Sequence, residues 1–402
     1  MLTLRGPSGP RRGADLRNLG IIQDGAVLIV DGLVREVGPS RRVENLAAAR
    51  SAIEINATGM VVLPGFVDSN AHLVSGAARL LDYEMRLAGA TESEIEAAGG
   101  GLQARVRDLQ NVSARTLEVH GQRILADCAA QGTTTVEARS GFGATEAAET
   151  KILRAGLALD NRPVSVVSTF MAGLTPVSGD DYVTWLCSHL LPLIRRRRLA
   201  EFAGVRCGAG GFTPEQSGRF LTTARQLGFA YKISTGPVAL ALEFGAASLD
   251  GLTQISTGDA DLLARSQTIA TLLPGPVFHM GSHQYAPARD LIDRGVAVAL
   301  GTNYNPETCP SHNMQMMLSL ACRHMGMTPA EAVSAATING AHAVRRAARI
   351  GSIEFGKDAD LLLLSVSDYR EIPLHFGVNL VEMTIKRGLT VYHKPEAKWP
   401  VK

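Results

Sequence analysis

The feature that most constrains this chain is an alternation. Short apolar runs recur at residues 65–69, 133–138, 164–170, 202–207, 230–234, 246–249, 268–273 and 296–301. Longer stretches with helical spacing lie between them, among them 114–130, 146–159, 214–227 and 287–294. Thr213-Pro214-Glu215-Gln216 reads as a helix start, with a capping hydroxyl ahead of a proline that suits the first turn. Stretches 311–325 and 329–346 read as the last helices. A parallel strand covered by helices on its outer side is buried on both faces, so it reads as a continuous apolar run. Eight such strands, each followed by a helix, predict an α/β fold of the (β/α)8 barrel type.

The ends of the chain read differently. Residues 26–30 and 33–37 are apolar runs flanking Asp31-Gly32, a pair suited to a two-residue hairpin turn. A further run at 60–63 precedes the barrel, and runs at 361–364, 380–386 and 390–393 follow it. These segments predict a small split β-sandwich domain, residues 1–63 plus 349–402, around a barrel at 64–348. Composition narrows the partners. Lys+Arg 40 against Asp+Glu 38 gives a formal net charge of +2, so nothing calls for nucleic acid or an anionic membrane surface. No apolar run approaches the roughly 18 residues of a membrane span, and a cytoplasmic protein is expected. The five cysteines are scattered without a paired motif, as reduced thiols are.

In a barrel of this kind the chemistry sits at the C-terminal ends of the strands. The first strand ends in Pro64-Gly65-Phe66-Val67-Asp68-Ser69-Asn70-Ala71-His72, and the tail carries Gly351-Ser352-Ile353-Glu354-Phe355-Gly356-Lys357-Asp358-Ala359-Asp360. Both resemble the amidohydrolase superfamily, whose first strand ends in two metal-binding histidines two residues apart. Further stretches match the imidazolonepropionase family within it: Arg86-Leu87-Ala88-Gly89-Ala90, Gly132-Thr133-Thr134-Thr135-Val136-Glu137, Ser140-Gly141-Phe142-Gly143, Leu273-Pro274-Gly275 and Asn305-Pro306. The resemblance runs from about Asp24 to Gly388. It implies a homodimer and a metal-activated water that opens an imidazolone ring.

The functional positions of that family are not all kept. Asn70 stands at the first metal histidine, while His72 keeps the second. Ser234 and Pro237 replace a histidine and an acidic or amide residue after the fifth strand. Gly251 stands at a proton-transfer histidine and Asn303 at the aspartate that binds metal and acts as base. Phe142 replaces a tyrosine, Thr175 lies in a stretch that lacks the expected substrate histidine, and Arg79 keeps a substrate-contacting arginine. A catalytic zinc normally has three protein ligands and an open position for water. One imidazole with neutral partners falls short of that.

The expectation is therefore a homologue that has lost metal-dependent hydrolysis and holds no cofactor. It keeps a pocket for a small-molecule ligand lined by Arg79, Phe142, His72 and Asn303, and acts as a binding or regulatory protein or as the partner of an active paralogue. The alternative is an active hydrolase of a cyclic amide C–N bond, using a weak or relocated zinc or other divalent site at His72, His279 and His283. Pro274-Gly275-Pro276 and Gly281 argue against a helix around those last two histidines.

Overall fold

A computed structural model describes residues 1–175, 177 and 179–395. Its strands in chain order are β1 (Gly25–Val30), β2 (Leu33–Pro39), β3 (Val61–Pro64), β4 (Phe66–Asp68), β5 (Thr133–Arg139), β6 (Ser165–Ala172), β7 (Phe202–Arg206), β8 (Ala230–Ser234), β9 (Ser248–Asp250), β10 (Ile269–Leu272), β11 (Val298–Leu300), β12 (Leu361–Leu364), β13 (Val381–Lys386) and β14 (Leu389–His393). Strands β4 to β11 form one eight-stranded sheet in sequence order. Its neighbours pair in parallel, for example Ser234 beside Asp250 and Asp250 beside Thr271. The two outer strands meet at their C-terminal ends, where Ala71 bridges Tyr304 and the His72 amide donates to the Tyr304 carbonyl at 2.7 Å. This closes the barrel, and the eight expected strands are its staves.

The helices 114–130 and 146–159 fall where their periodicity places them. Thr213 caps Pro214–Gln226 by a reciprocal pair of bonds with Gln216. The stretch 329–346 is two helices rather than one, Pro329–Ala336 and Ile338–Ala343, broken at Thr337. The break lets the Asn339 amide donate to the Val298 and Arg11 carbonyls, tying the end of the barrel to the N-terminal arm.

Both chain ends build the smaller part. A four-stranded antiparallel sheet runs β14-β13-β12-β3, and β1-β2 is a separate hairpin. Its turn residues Asp31 and Gly32 both have positive φ, 52° and 77°, as a type I′ turn requires. Val34, Ile353, Leu361, Leu363 and Ile385 pack the hairpin onto the larger sheet. Gly65 is the hinge between this part and the barrel. A Cβ there would lie 2.2 Å from the Thr134 hydroxyl oxygen, so only glycine lets β3 run directly into β4.

Candidate active site at the barrel mouth

The barrel interior is charged at its upper end. On β5, Glu137 and Arg139 stand two residues apart and so share one face of the strand. Arg139 donates from Nε to Glu137 Oε2 at 2.9 Å and from Nη2 to Asp250 Oδ2 at 2.5 Å. Lys232 on β8 donates from Nζ to Glu137 Oε2 at 2.9 Å and to the Ser69 carbonyl at 3.0 Å. Thr169 on β6 donates its hydroxyl to Glu137 Oε1 at 2.5 Å, and the Asn70 amide donates to Asp250 Oδ2 at 3.1 Å. All four charged side chains are buried, at most 2% exposed. Two cations and two carboxylates balance, which is what lets so many charges leave water together. Burial opposes the charge on Arg139, but Asp250 and Glu137 outweigh it and strengthen its hold on its proton. For Lys232 burial wins over Glu137, and its affinity for its proton is lowered.

Beneath this network Asp68 is fixed by the Thr302 amide at 2.9 Å and the Thr302 hydroxyl at 2.5 Å. Burial pushes its carboxyl up to about 6. Above it lies His72, 7% exposed, with Nδ1 buried and without a hydrogen bond. Burial, then the charges of Arg105 and Arg139, lower its affinity for a proton well below the ordinary histidine range, so it is a neutral imidazole at pH 7. Its ring meets Phe142 edge-on with centroids 5.0 Å apart. The guanidinium of Arg105 lies over the other side of this assembly, 3.5 Å from the Phe142 centroid. One of its nitrogens reaches Glu307 at 3.3 Å, while Nε and Nη2 are buried without partners.

The loop that presents Phe142 is held from below. Glu149 accepts from the Gly141 amide at 3.0 Å and the Gly143 amide at 2.5 Å. Gly141 has φ +111°, and a Cβ on it would lie 2.2 Å from the Met171 carbonyl oxygen, so the tight approach needs glycine.

The residues singled out in the sequence fall into two groups. Asn70, His72, Phe142, Ser234, Gly251 and Asn303 all lie at or just beyond the C-terminal strand ends. Asn303 has φ 51°, a left-handed conformation that asparagine tolerates, and its amide donates to the Asn70 carbonyl at 2.7 Å. Arg79 lies at the start of helix Leu80–Leu87, where its guanidinium is held by Asp82 at 3.0 Å, Asp108 at 2.9 Å and the Gly99 carbonyl at 3.2 Å. His279 ends a short helix, Pro274–His279, and stacks on Tyr83 at 5.7 Å. That helix corrects the expectation of none. Its prolines sit in the first turn, where amide hydrogens have no partner within the helix in any case. His283 lines an open cleft of about 540 Å³ with Tyr285 and His324. Sequence reasoning passed over Arg105, Arg139 and the acidic partner Asp250. For Arg139 and Asp250 the signal was present, as charged residues ending runs otherwise apolar enough to be buried strands; Arg105 lies in helix Gly101–Asn111 and had no such mark.

A divalent ion does not fit these donors. Asn70, Ser234, Gly251 and Asn303 bring no anionic or imidazole ligand, Glu137 and Asp250 are already engaged by Arg139 and Lys232, and Asp68 is engaged by Thr302. Among the described residues no group of three or more His, Cys, Asp or Glu is arranged to hold a metal ion, and His72, His279 and His283 do not form one.

The closed eight-stranded barrel, its appended β-sheets and a polar site at the strand ends define a (β/α)8 barrel protein with its chemistry-bearing groups at the strand ends. The amidohydrolase family model matches residues 252–391. The chain is 41% identical to an imidazolonepropionase of Parabacteroides distasonis over 394 residues, covering 94% of each. It is also 41% identical to an imidazolonepropionase of Geobacillus kaustophilus, covering 97% of this chain and 96% of that one. Among solved structures it superposes on the atrazine chlorohydrolase of Arthrobacter aurescens complexed with zinc, with TM-score 0.67 and 15% identity over 92% of this chain and 91% of that one. That likeness shows the shared fold. The chain belongs to the amidohydrolase superfamily, within which it is most like imidazolonepropionase.

These relatives correct one expectation. A homologue that has lost hydrolysis does not agree with full-length relatives at 41% identity that carry an enzyme's name. The expectation equated loss of metal ligands with loss of activity, and it left the buried arginines out of account.

Proposed function

We infer that the chain is a hydrolase that opens the cyclic amide of an imidazolone bearing a propionate arm. The observation that carries this reading is the 41% identity over 94% of both chains with a relative named imidazolonepropionase. The character of the mouth supports it. His72 is a neutral imidazole at a strand end, held by buried backbone contacts and influenced by the charges of Arg105, Arg139 and Arg206. The arginines that act on His72 favour an anionic arm on the substrate, and a neutral imidazole accepts a proton.

In this reading water adds to the ring carbonyl carbon as His72 takes one of its protons. The carbonyl oxygen becomes an oxyanion, the C–N bond then breaks, and the imidazolium returns the proton to the departing nitrogen. Phe142 forms an apolar wall beside His72. No step is assigned to a metal ion.

The test is incubation of the purified chain with imidazolone propionate, following loss of the ring's ultraviolet absorbance. Ring opening that falls at least about 10²-fold in His72→Ala supports the reading, since general acid–base catalysis contributes on that scale. A folded wild-type protein without turnover overturns it.

A further inference from the structure

We propose that Arg139 is the resident cation of this site: clamped by Glu137 and Asp250, its guanidinium takes the electrostatic place of a divalent ion and receives the carbonyl oxygen of a cyclic amide. The ligand half rests on the function inferred above, and the cation half stands without it.

The first argument is occupancy of the carboxylates. Glu137 accepts from Arg139, Lys232 and Thr169, and Asp250 Oδ2 accepts from Arg139 and Asn70. A divalent ion brought to these carboxylates would meet two buried positive charges and would have to displace them. The second is permanence. A guanidinium stays protonated at any pH a protein survives, so the site keeps a positive charge without a cofactor. The third is geometry. Nε and Nη2 are committed to two carboxylates on different strands, which fixes the plane of the group. Nη1 has no hydrogen-bond partner among the described residues and is left for a ligand.

Unpartnered atoms around Arg139 then name the ligand's chemistry. Buried polar atoms are nearly always hydrogen-bonded, so a cluster of exceptions needs a reason. Asn70 Oδ1 and Asp250 Oδ1 are buried acceptors without donors, and His72 Nδ1 and Arg105 Nε and Nη2 also lack partners. A cyclic amide presents one carbonyl acceptor, the complement of Arg139 Nη1, and ring N–H donors, the complement of acceptors such as Asn70 Oδ1 and Asp250 Oδ1. The Asn70 amide supports Asp250 through Nδ2 and leaves an oxygen for the ligand. As water adds, negative charge grows on the carbonyl oxygen and the Nη1 hydrogen bond strengthens; no proton leaves the guanidinium.

The experiment has two arms. Elemental analysis of the wild-type protein, calorimetric titration with zinc chloride and dialysis against a chelator test the cation. Well under one divalent ion per chain, no stoichiometric zinc binding and an unchanged Tm after chelation are expected. One ion per chain whose removal lowers Tm or turnover overturns the proposal. The second arm compares Arg139→Lys and Arg139→Ala on imidazolone propionate. A fall in kcat of about 10²-fold in Arg139→Lys, with KM and Tm close to wild type, is expected for loss of a fixed oxyanion donor. Partial rescue of Arg139→Ala by millimolar guanidinium chloride is expected too; if that variant does not fold, the lysine variant decides. Unchanged kcat in Arg139→Lys overturns the catalytic half. Absence of wild-type turnover sinks the inferred function instead, and the metal titrations still decide the cation.

Discussion

Two buried lysine–carboxylate pairs lie in different parts of this molecule. In the four-stranded sheet Lys386 donates to Asp360 Oδ2 at 2.6 Å, and the Arg387 amide donates to Asp360 Oδ1 at 3.0 Å. Both oxygens of that carboxylate are used. In the barrel Lys232 meets Glu137 at 2.9 Å, but the network continues through Arg139 to Asp250 and ends in Asp250 Oδ1 and Asn70 Oδ1, which have no donor. The ingredients are the same, and the difference is closure. A closed network contributes structure, because each buried charge is compensated within it. An open one leaves hydrogen-bonding capacity directed at something else, and in a barrel it lies where substrates bind.

The contrast is broken most directly at the charges themselves. Lys386→Met leaves Asp360 buried without its cation, and stability should fall by about 3–5 kcal/mol while kcat of the folded fraction stays near wild type. Urea unfolding read beside turnover checks this. A loss of kcat without loss of stability would erase the distinction between the two networks. Gly141→Ala comes next, since its Cβ collides with the Met171 carbonyl and its φ is strained for alanine. About 2 kcal/mol of stability and a displaced Phe142 loop are expected, visible as a lower Tm with a raised KM.

A smaller effect sharpens the open side. Arg105→Met keeps the bulk over Phe142 but removes the cation and its unpartnered nitrogens. KM for an anionic substrate should rise about tenfold, the scale of one charge-assisted contact, and salt should matter less than in wild type. Arg79→Ala removes ion pairs that lie partly in solvent, and a stability loss of no more than about 1 kcal/mol is expected. KM separates its two readings: a large rise marks a ligand contact, and little change marks a loop tie.

The last prediction concerns pH and lies away from both networks. Burial, then Lys357, lowers the His342 imidazole to about 4, with Arg12 acting in the same direction and the Gly9 backbone opposing. The folded protein therefore keeps His342 neutral where the unfolded chain would protonate it. Its contribution is complete above pH 6.5 and is lost as pH falls from 6.5 towards 4. Tm should drop across that window in the wild type and less steeply in His342→Gln. An equal slope in both would show that other groups govern acid sensitivity.

The barrel was legible because it is written in local pattern. Segment 230–234 coincides with β8, and helices 114–130 and 146–159 end where their apolar periodicity ends. The kinked 329–346 stretch was not legible, since its break serves contacts with Arg11 and Val298 far away in sequence. The site was legible only as a row of positions. Asn70, Ser234, Gly251 and Asn303 could be placed at strand ends, but nothing adjacent to them in sequence announces the charged network they meet there.

The sequence by itself determined the barrel and the β-structure split between the two chain ends, because spacing and turn residues are local properties. Only the tertiary structure decided that Arg139 meets Asp250 across 111 positions and that Lys232 meets Glu137 across 95. Barrel closure brings the inward faces of distant strands within hydrogen-bonding reach of one another. Charge placed on those faces must find its partner there, since the interior offers no water to take its place.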